Sequence, residues 1–230
     1  MEIEIQIVLG IPGKWPTRSH LVTDIATKSN GLLFAGMILM DTASKDGYTL
    51  EVHKHNSDLA KTFEIAGGPD FPPEDIQAIG SHTFTLYVVA KGGSFEQAQK
   101  VLNVGCQLLH SGGLAVIVET TGKVHTSNDW CALASATNET ALYHAFVTLI
   151  EGNGAHYSCG MHNLGQRDAI VLGNIPAKDA ARLLETFLLY LLIEKPALSD
   201  GHTFSETPDS PNYQLNAVPC TTYPVGHAFF

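Results

Sequence analysis

The residues with the clearest potential for chemistry are Glu51, His53 and His55, which alternate along the segment LEVHKHN. On a strand, side chains two positions apart share one face at steps of about 7 Å. Imidazole nitrogens and carboxylate oxygens are ligands for zinc. The pattern therefore predicts a divalent metal site, with zinc as the ion and a further ligand from elsewhere. The plainer alternative is the solvated face of a half-exposed strand.

Further histidines could complete such a site. His156 and His162 would share a polar strand face and could join it if their strand lay near residues 48–55. Five more are scattered along the chain, and the sequence does not choose among them: His82, His110, His125, His144 and His202. The metal hypothesis fails if His53 and His55 face bulk water with no third ligand within reach.

The segment YSCGMHNLGQRD, residues 157–168, has a second set of reactive residue types. Strand alternation places Cys159 among apolar neighbours and away from His162, and a buried thiol without a cationic neighbour is inert. Arg167, beyond a turn at Gly165, could bind a carboxylate or phosphate ligand, or could brace a neighbouring acid. We predict a hairpin with a glycine turn here, with Cys159 in the core.

A third polar group follows a predicted buried strand in TTGKVHTSNDW, residues 120–130. It contains Lys123, His125, Ser127, Asn128 and Asp129. Loops that follow strands often carry function. A helix cap at Ser127 and a core anchor at Trp130 would explain much of the segment without chemistry.

Established motifs for catalysis and nucleotide binding are missing from the sequence. The glycine loops LGIPGKW and AKGGSFEQ lack the spacing of a phosphate loop or a dinucleotide fingerprint. There is no G-x-S-x-G elbow and no H-E-x-x-H pair. We therefore predict no bound organic cofactor.

Composition limits the classes of partner. Of 230 residues, 44% are apolar and 16% charged, and the formal net charge is −10. This acidity disfavours nucleic acid and anionic membrane surfaces, because both require clustered lysine and arginine. A protein partner or a small molecule remains.

Three sequence features indicate the cellular compartment: the N-terminus, the apolar runs and the cysteines. The N-terminus lacks the positive region of a secretory signal, and the apolar runs at 32–40 and 187–193 are too short to span a bilayer. The four cysteines are far apart with no C-x-x-C pair, which predicts free thiols and neither a disulfide framework nor a sulfur-rich zinc site. We expect a cytoplasmic protein.

The predicted elements favour an α+β fold. Their order over residues 1–90, β-α-β-β-α-β, is that of a ferredoxin-like plait with a mixed or antiparallel sheet and helices packed on it. Gly10 and Gly31 bracket one helix with a separation of 21, and Gly92 and Gly113 bracket another with the same separation. We read this as a weak duplication within one body, residues 1–230, made of two similar halves at about 1–80 and 82–230.

Local sequence signals predict several individual helices and strands. Residues 32–40, apolar on both faces, predict a central strand. Ser94 with Gln97 predicts a helix start, and Pro176 predicts another that continues to about Glu194. Residues 141–150 predict a strand.

Four segments together resemble an uncharacterised bacterial family, a domain of unknown function: IVLGIPGKW, SGGLAVIVETTGKVHTSNDW, YSCGMHNLGQRD and DGHTF. The resemblance is strongest over residues 82–206. It implies a bacterial cytoplasmic protein with an accessory or interaction role, and it supplies no catalytic residue.

These observations predict a non-enzymatic cytosolic binding or interaction protein, with self-association through an open sheet face as one arrangement. The alternative is a metal-binding protein or metal-dependent hydrolase that uses Glu51, His53 and His55.

Overall fold

Alternating apolar residues make the first strand, β1 (Gln6–Gly13), the centre of the fold. In the computed structural model, which describes residues 5–152, 154–173, 175–219 and 228–229, the side chains of Ile7, Leu9 and Ile11 on this strand are fully buried. The strand pairs antiparallel with β5 on one side and with β6 on the other. The main sheet has the order β2-β3-β4-β5-β1-β6-β7. Its strands are β1 (Gln6–Gly13), β2 (Leu32–Ala35), β3 (Ile38–Asp41), β4 (Gly47–Lys54), β5 (Phe84–Lys91), β6 (Ala115–Val118) and β7 (Lys123–Thr126).

Helices connect these strands and cover the sheet. The α-helices are α1 (Arg18–Lys28), α2 (Leu59–Gly67), α3 (Pro73–Gly80), α4 (Phe95–His110), α5 (Ser127–Ala136), α6 (Glu139–Phe146) and α7 (Ala177–Glu194), with short 3-10 turns at Gly68–Asp70 and Met161–Leu164. Among the described residues, no helix is both long enough and apolar enough to cross a bilayer.

A second, smaller antiparallel sheet has the order β10-β9-β8. It consists of β8 (Thr148–Gly152), β9 (Ala155–Cys159) and β10 (Ile170–Leu172), and α7 contacts all three strands. Short strand pairs follow at β11 (Thr203–Phe204) with β12 (Tyr213–Gln214), and β13 (Val218–Pro219) with β14 (Ala228–Phe229). One apolar cluster contains residues of β1, α4 and α7, so a continuous core joins the two sheets.

The α+β prediction is confirmed. Every named strand pair is antiparallel, and β5 lies between β1 and β4 while β1 lies between β5 and β6. Helix α1 therefore lies in the chain between strands that are not neighbours in the sheet, and so does α4. Gly10 lies inside β1 and not at its end, so the predicted glycine bracket does not mark the start of the first helix.

Two element predictions were wrong. Residues 32–40 form a hairpin at the sheet edge, because Gly36 adopts a φ of +65° between β2 and β3. Residues 141–150 were predicted as a strand, but α6 occupies most of this range and β8 begins only at Thr148. Asn138 caps α6 by accepting a hydrogen bond from the backbone N–H of Ala141, a local signal for a helix start.

Helices α4 and α5 cross at a glycine. Trp130 of α5 is fully buried and its indole Nε1–H donates to the carbonyl oxygen of Leu102 at 2.9 Å. A Cβ on Gly105 would lie 2.5 Å from Trp130 Nε1, so only glycine allows this approach. Trp15 contacts the other end of α4, where its Nε1–H donates to the carbonyl oxygen of Ser111 at 2.7 Å. The next residues after Gly105 and Trp130 are both cysteines.

Candidate functional site

A polar cleft of about 810 Å³ lies where the two sheets meet. One wall comes from the end of α2 and the start of α3, and another from β7 with the first turn of α5. The end of α6, the start of β8 and Glu185 of α7 close the remaining side. The lining is mostly polar, unlike the largely apolar pockets of most small-molecule sites, so a ligand here would be held by charge and hydrogen bonds.

Lys123 of β7 lies in this cleft. Its ammonium group donates to the carbonyl oxygen of Val147 at 2.7 Å, which ties β7 to the chain just before β8. Burial lowers the pKa of Lys123 to about 8, and the nearby Glu185 carboxylate opposes this shift. A lysine with a lowered pKa in a cleft is one mark of a functional site.

His125, two residues along β7, is held neutral by its surroundings. The residue is 8% exposed, and burial, followed by the charge of Lys123, lowers its pKa to about 4. The ring Nε2 lies 2.9 Å from the carbonyl oxygen of Ala145. Since a carbonyl only accepts, Nε2 carries the proton and Nδ1 is the acceptor of this neutral ring.

Acceptor groups dominate the rest of the cleft. Burial, followed by the negative charges of Glu74 and Asp129, raises the pKa of Asp75. The hydroxyl oxygen of Thr148 is buried, and no described residue forms a hydrogen bond with it. Among the described residues, the carboxylates in the lining are those of Asp70, Glu74, Asp75, Asp129 and Glu185, and Lys123 is the one lysine or arginine there. The lining therefore has an excess of negative charge, with donors such as Lys123, Asn128 and the Tyr143 hydroxyl beside the acceptors.

Two aromatic residues at the end of α6 complete the wall. Tyr143 is 3% exposed, and burial, followed by the Glu185 carboxylate, raises the pKa of its hydroxyl. His144 packs against it with ring centroids 5.3 Å apart, and burial, followed by the charge of Lys123, lowers the pKa of His144. The phenol therefore stays protonated across the physiological range.

The sequence pointed to part of this cleft. Of the polar group in residues 120–130, Lys123, His125, Asn128 and Asp129 line it. The helix cap is Thr126 and not Ser127: the Thr126 hydroxyl accepts from the N–H of Asp129 at 3.1 Å and donates to its carboxylate at 2.7 Å. The lining residues on α3, α6 and α7 come from distant parts of the chain, and no local sequence pattern predicts that they meet here.

The residues predicted to bind a metal are only partly brought together. Glu51 Oε2 and His53 Nε2 lie 3.0 Å apart on the exposed face of β4, with side chains 45% and 55% exposed. His55 lies beyond the end of β4, and its Nδ1 contacts the carbonyl oxygen of His82 at 2.9 Å. Among the described residues these three do not form a group with ligand atoms within 4.8 Å of one another. The solvated face is the better description of this strand.

His156, on β9, lies apart from that strand, with its Nε2 3.3 Å from the carbonyl oxygen of Ile175. His162, in the 3-10 turn at Met161–Leu164, places its Nδ1 3.1 Å from the carboxylate of Asp168. Arg167 is exposed and lines a second cleft, of about 540 Å³, together with His162. In the described part of the chain, none of the three joins Glu51, His53 and His55 in a metal-ligand group.

The segment YSCGMHNLGQRD is organised by a buried carboxylate. Asp168 is 1% exposed and accepts hydrogen bonds from the Ser158 hydroxyl at 2.8 Å and from the N–H of Met161 at 3.1 Å. Cys159 is a buried free thiol, as predicted, and burial, followed by Asp168, raises its pKa to about 11. A thiol with this pKa is protonated at neutral pH and a poor nucleophile. Asp168 therefore holds the turn of this segment in place.

A different set of side chains could hold a metal ion. Cys106 and His110 of α4 and Cys131 of α5 have ligand atoms within 4.8 Å of one another. Cys106 and Cys131 are joined as a disulfide with Cα atoms 5.1 Å apart, which corrects the prediction that these thiols are free. His110 Nε2 lies 3.9 Å from each sulfur. The spacing C-x-x-x-H on a predicted helix was a signal for the first two residues, but Cys131 requires the tertiary fold.

Comparison of the chain with models of protein families, with curated proteins and with solved structures found no match.

Proposed function

We propose that this chain is a binding protein for a small cationic molecule rich in hydrogen-bond donors, and that the polar cleft at β7 is its site. The observation that carries the proposal is the imbalance of the lining, which has five carboxylates against one lysine in the part of the chain that the structure describes. A protonated amine near Asp75 and Asp129 would relieve the repulsion that helps to raise the pKa of Asp75. Charge-assisted hydrogen bonds to carboxylates are the strong ones.

The neutral polar atoms of the cleft favour the same ligand. The Thr148 hydroxyl oxygen has no partner among the described residues, and the neutral ring of His125 offers Nδ1 as an acceptor. Lys123, the one lysine or arginine of the lining as far as the structure describes it, already donates to the carbonyl oxygen of Val147. A ligand that mainly donates therefore fits these walls better than an anion does.

The test is calorimetric titration of the full chain with linear diamines of increasing length and with diols of the same length. We expect a diamine to bind with a one-to-one stoichiometry and the matched diol not to bind. Asp75→Asn should weaken the diamine by about tenfold, the magnitude of one charge-assisted hydrogen bond. Asp58→Asn, at the far end of α2, is the matched control and should leave affinity unchanged. Equal binding of diamine and diol, or none of either, would refute the proposal.

A second candidate function, self-association, is favoured by the edge hairpin. Its outer face exposes Leu33, Met37, Ile38 and Met40, with Ile38 63% exposed and Met37 58% exposed. In the main sheet β2 pairs only with β3, so it is an edge strand. An antiparallel edge is self-complementary, so we propose a second copy of the chain as the occupant.

We further propose that the centre of the main sheet is a ferredoxin-like plait made of β1, β4, β5 and β6 with α1 and α4. The support is the order β4-β5-β1-β6 and the two interleaved β-α-β connections. In this arrangement β2 with β3 is an insertion at one edge, and β7 with its cleft is an addition at the other.

A further inference from the structure

We infer that the reduced chain binds one zinc ion through Cys106, His110 and Cys131. The inference is independent of the cleft at β7 and of the predicted site on β4. Two thiolates and an imidazole are a recognised zinc-ligand set, and three protein ligands leave the fourth tetrahedral position to water or to another small ligand.

The geometry of α4 already positions two ligands. Cys106 and His110 are four residues apart, so they lie one above the other on the same helix face. A tetrahedral zinc ion bound at about 2.3 Å by sulfur and about 2.0 Å by nitrogen holds these atoms about 3.6 Å apart. The observed distance from His110 Nε2 to each sulfur is 3.9 Å. The imidazole is therefore near its required place for both cysteines.

The crossing of α4 and α5 positions the third ligand. Cys106 and Cys131 directly follow Gly105 and Trp130, the two residues that set the distance between the helices. Their Cα atoms are 5.1 Å apart, so both side chains reach a common point between the helices. Both cysteines are half-buried and His110 is exposed, which gives an ion access from solvent.

The disulfide and the metal exclude each other, because both use the same two sulfurs. Reduction by a pair of low-molecular-weight thiols transfers two electrons and two protons to the disulfide, and the reductant leaves as its own disulfide. Zinc then displaces the two thiol protons, and His110 binds as the neutral imidazole. In a reducing compartment, such as the cytoplasm predicted from the sequence, the dithiol is the expected state.

The test is zinc titration of the full chain, reduced with a phosphine and freed of metal, against a chromophoric chelator. We expect one zinc ion per chain in the reduced protein and none in the oxidised protein. Cys131→Ser and His110→Gln should each weaken binding by about a hundredfold or more, since losing even an outer partner of a zinc ligand costs 10–100-fold. Cys159→Ser and His53→Gln are the matched controls and should bind as the wild type does.

Cobalt(II) supplies a measurement on the wild type alone, in case a variant does not fold. A tetrahedral cobalt spectrum with a thiolate charge-transfer band supports the site, and an octahedral spectrum without that band overturns it. Failure of the reduced wild type to bind zinc, or unchanged binding by a folded Cys131→Ser variant, would also overturn it. Diamine binding in the cleft is unaffected by either result.

Discussion

His125 links the candidate cleft to the pH dependence of stability. Its side chain is buried beside Trp130, with ring centroids 5.2 Å apart, and the charges near it are those of Lys123, Asp129 and His144. Burial lowers its pKa to about 4, whereas an unfolded histidine titrates near 6.5. The unfolded chain therefore takes up a proton at a higher pH than the folded chain does. Stability from this residue is present above about pH 6.5 and is lost as the pH falls towards 4.

We predict that His125 alone lowers the free energy of unfolding by about 2 kcal/mol between pH 7 and pH 5. Urea denaturation at both values, for the wild type and for His125→Leu, measures this contribution as the difference between the two pH dependences. His53→Leu, at an exposed histidine, should keep the wild-type dependence. If His125→Leu keeps it as well, the residue is not the buried neutral group that the structure indicates.

Asp168 illustrates at the same scale what a single sequence conceals. Strand alternation predicts that Cys159 faces the core, and the structure confirms that this thiol is buried. The sequence does not single out Asp168, the carboxylate that organises the segment. Its partners Ser158 and Met161 lie ten and seven residues earlier. These hydrogen bonds depend on the conformation of the turn, which local sequence patterns do not predict.

At the level of elements, predictions succeeded where a local signal fixed the structure. Ser94 caps α4 by accepting from the N–H of Gln97 at 3.2 Å, and α7 begins directly after Pro176 and ends at Glu194, as predicted. The apolar run at 32–40 was misassigned because continuous hydrophobicity usually marks a strand buried on both faces. Here the run forms an edge hairpin with one exposed apolar face. That exposed face is the proposed self-association surface.

The crossing of α4 and α5 gives a prediction that opposes intrinsic helix preference. Gly105→Ala should lower the free energy of unfolding by about 1–3 kcal/mol, because the added Cβ overlaps Trp130 and forces the helices apart. Helix propensity alone would favour alanine by about 1 kcal/mol.

Gly80→Ala is the matched control for this crossing. A Cβ there would lie 3.7 Å from the Cβ of Ala60, an ordinary contact, so the variant should be as stable as the wild type or more so. Thermal unfolding of both variants and of the wild type measures these differences in stability. A Gly105→Ala variant that matches Gly80→Ala would show that the helices are not held at this distance.

For the whole molecule, the two edges of the main sheet differ. Helices α2, α5 and α6 all contact β7 at one edge, whereas at the other edge α1 contacts β2 and the hairpin of β2 and β3 has the exposed apolar face. The order of the predicted elements indicated an α+β fold, but the separation of the acidic cleft from the apolar edge depends on strand order. Strand order arises from contacts between distant residues, such as β1 with β5, and the periodicity of one segment does not encode them.

We predict that the chain is a dimer at micromolar concentration and that Ile38→Lys makes it a monomer. The substitution places a charge in the proposed contact at a position that is already exposed, so folding should be unaffected. Light scattering after gel filtration measures the mass. Ile65→Lys, at an exposed apolar residue on α2, is the control and should remain dimeric. A monomeric wild type would contradict the proposal.

The two tryptophans that contact α4 allow its surroundings to be followed by intrinsic fluorescence. Trp15 and Trp130 are the only tryptophans, and both are fully buried, with their N–H groups bonded to the carbonyl oxygens of Ser111, just after α4, and of Leu102 within α4. Disulfides and protonated imidazoles quench tryptophan emission, and Trp130 adjoins both Cys131 and His125. Its fluorescence should therefore brighten on reduction and dim on acidification, while Trp15 serves as an internal reference at the other end of the helix.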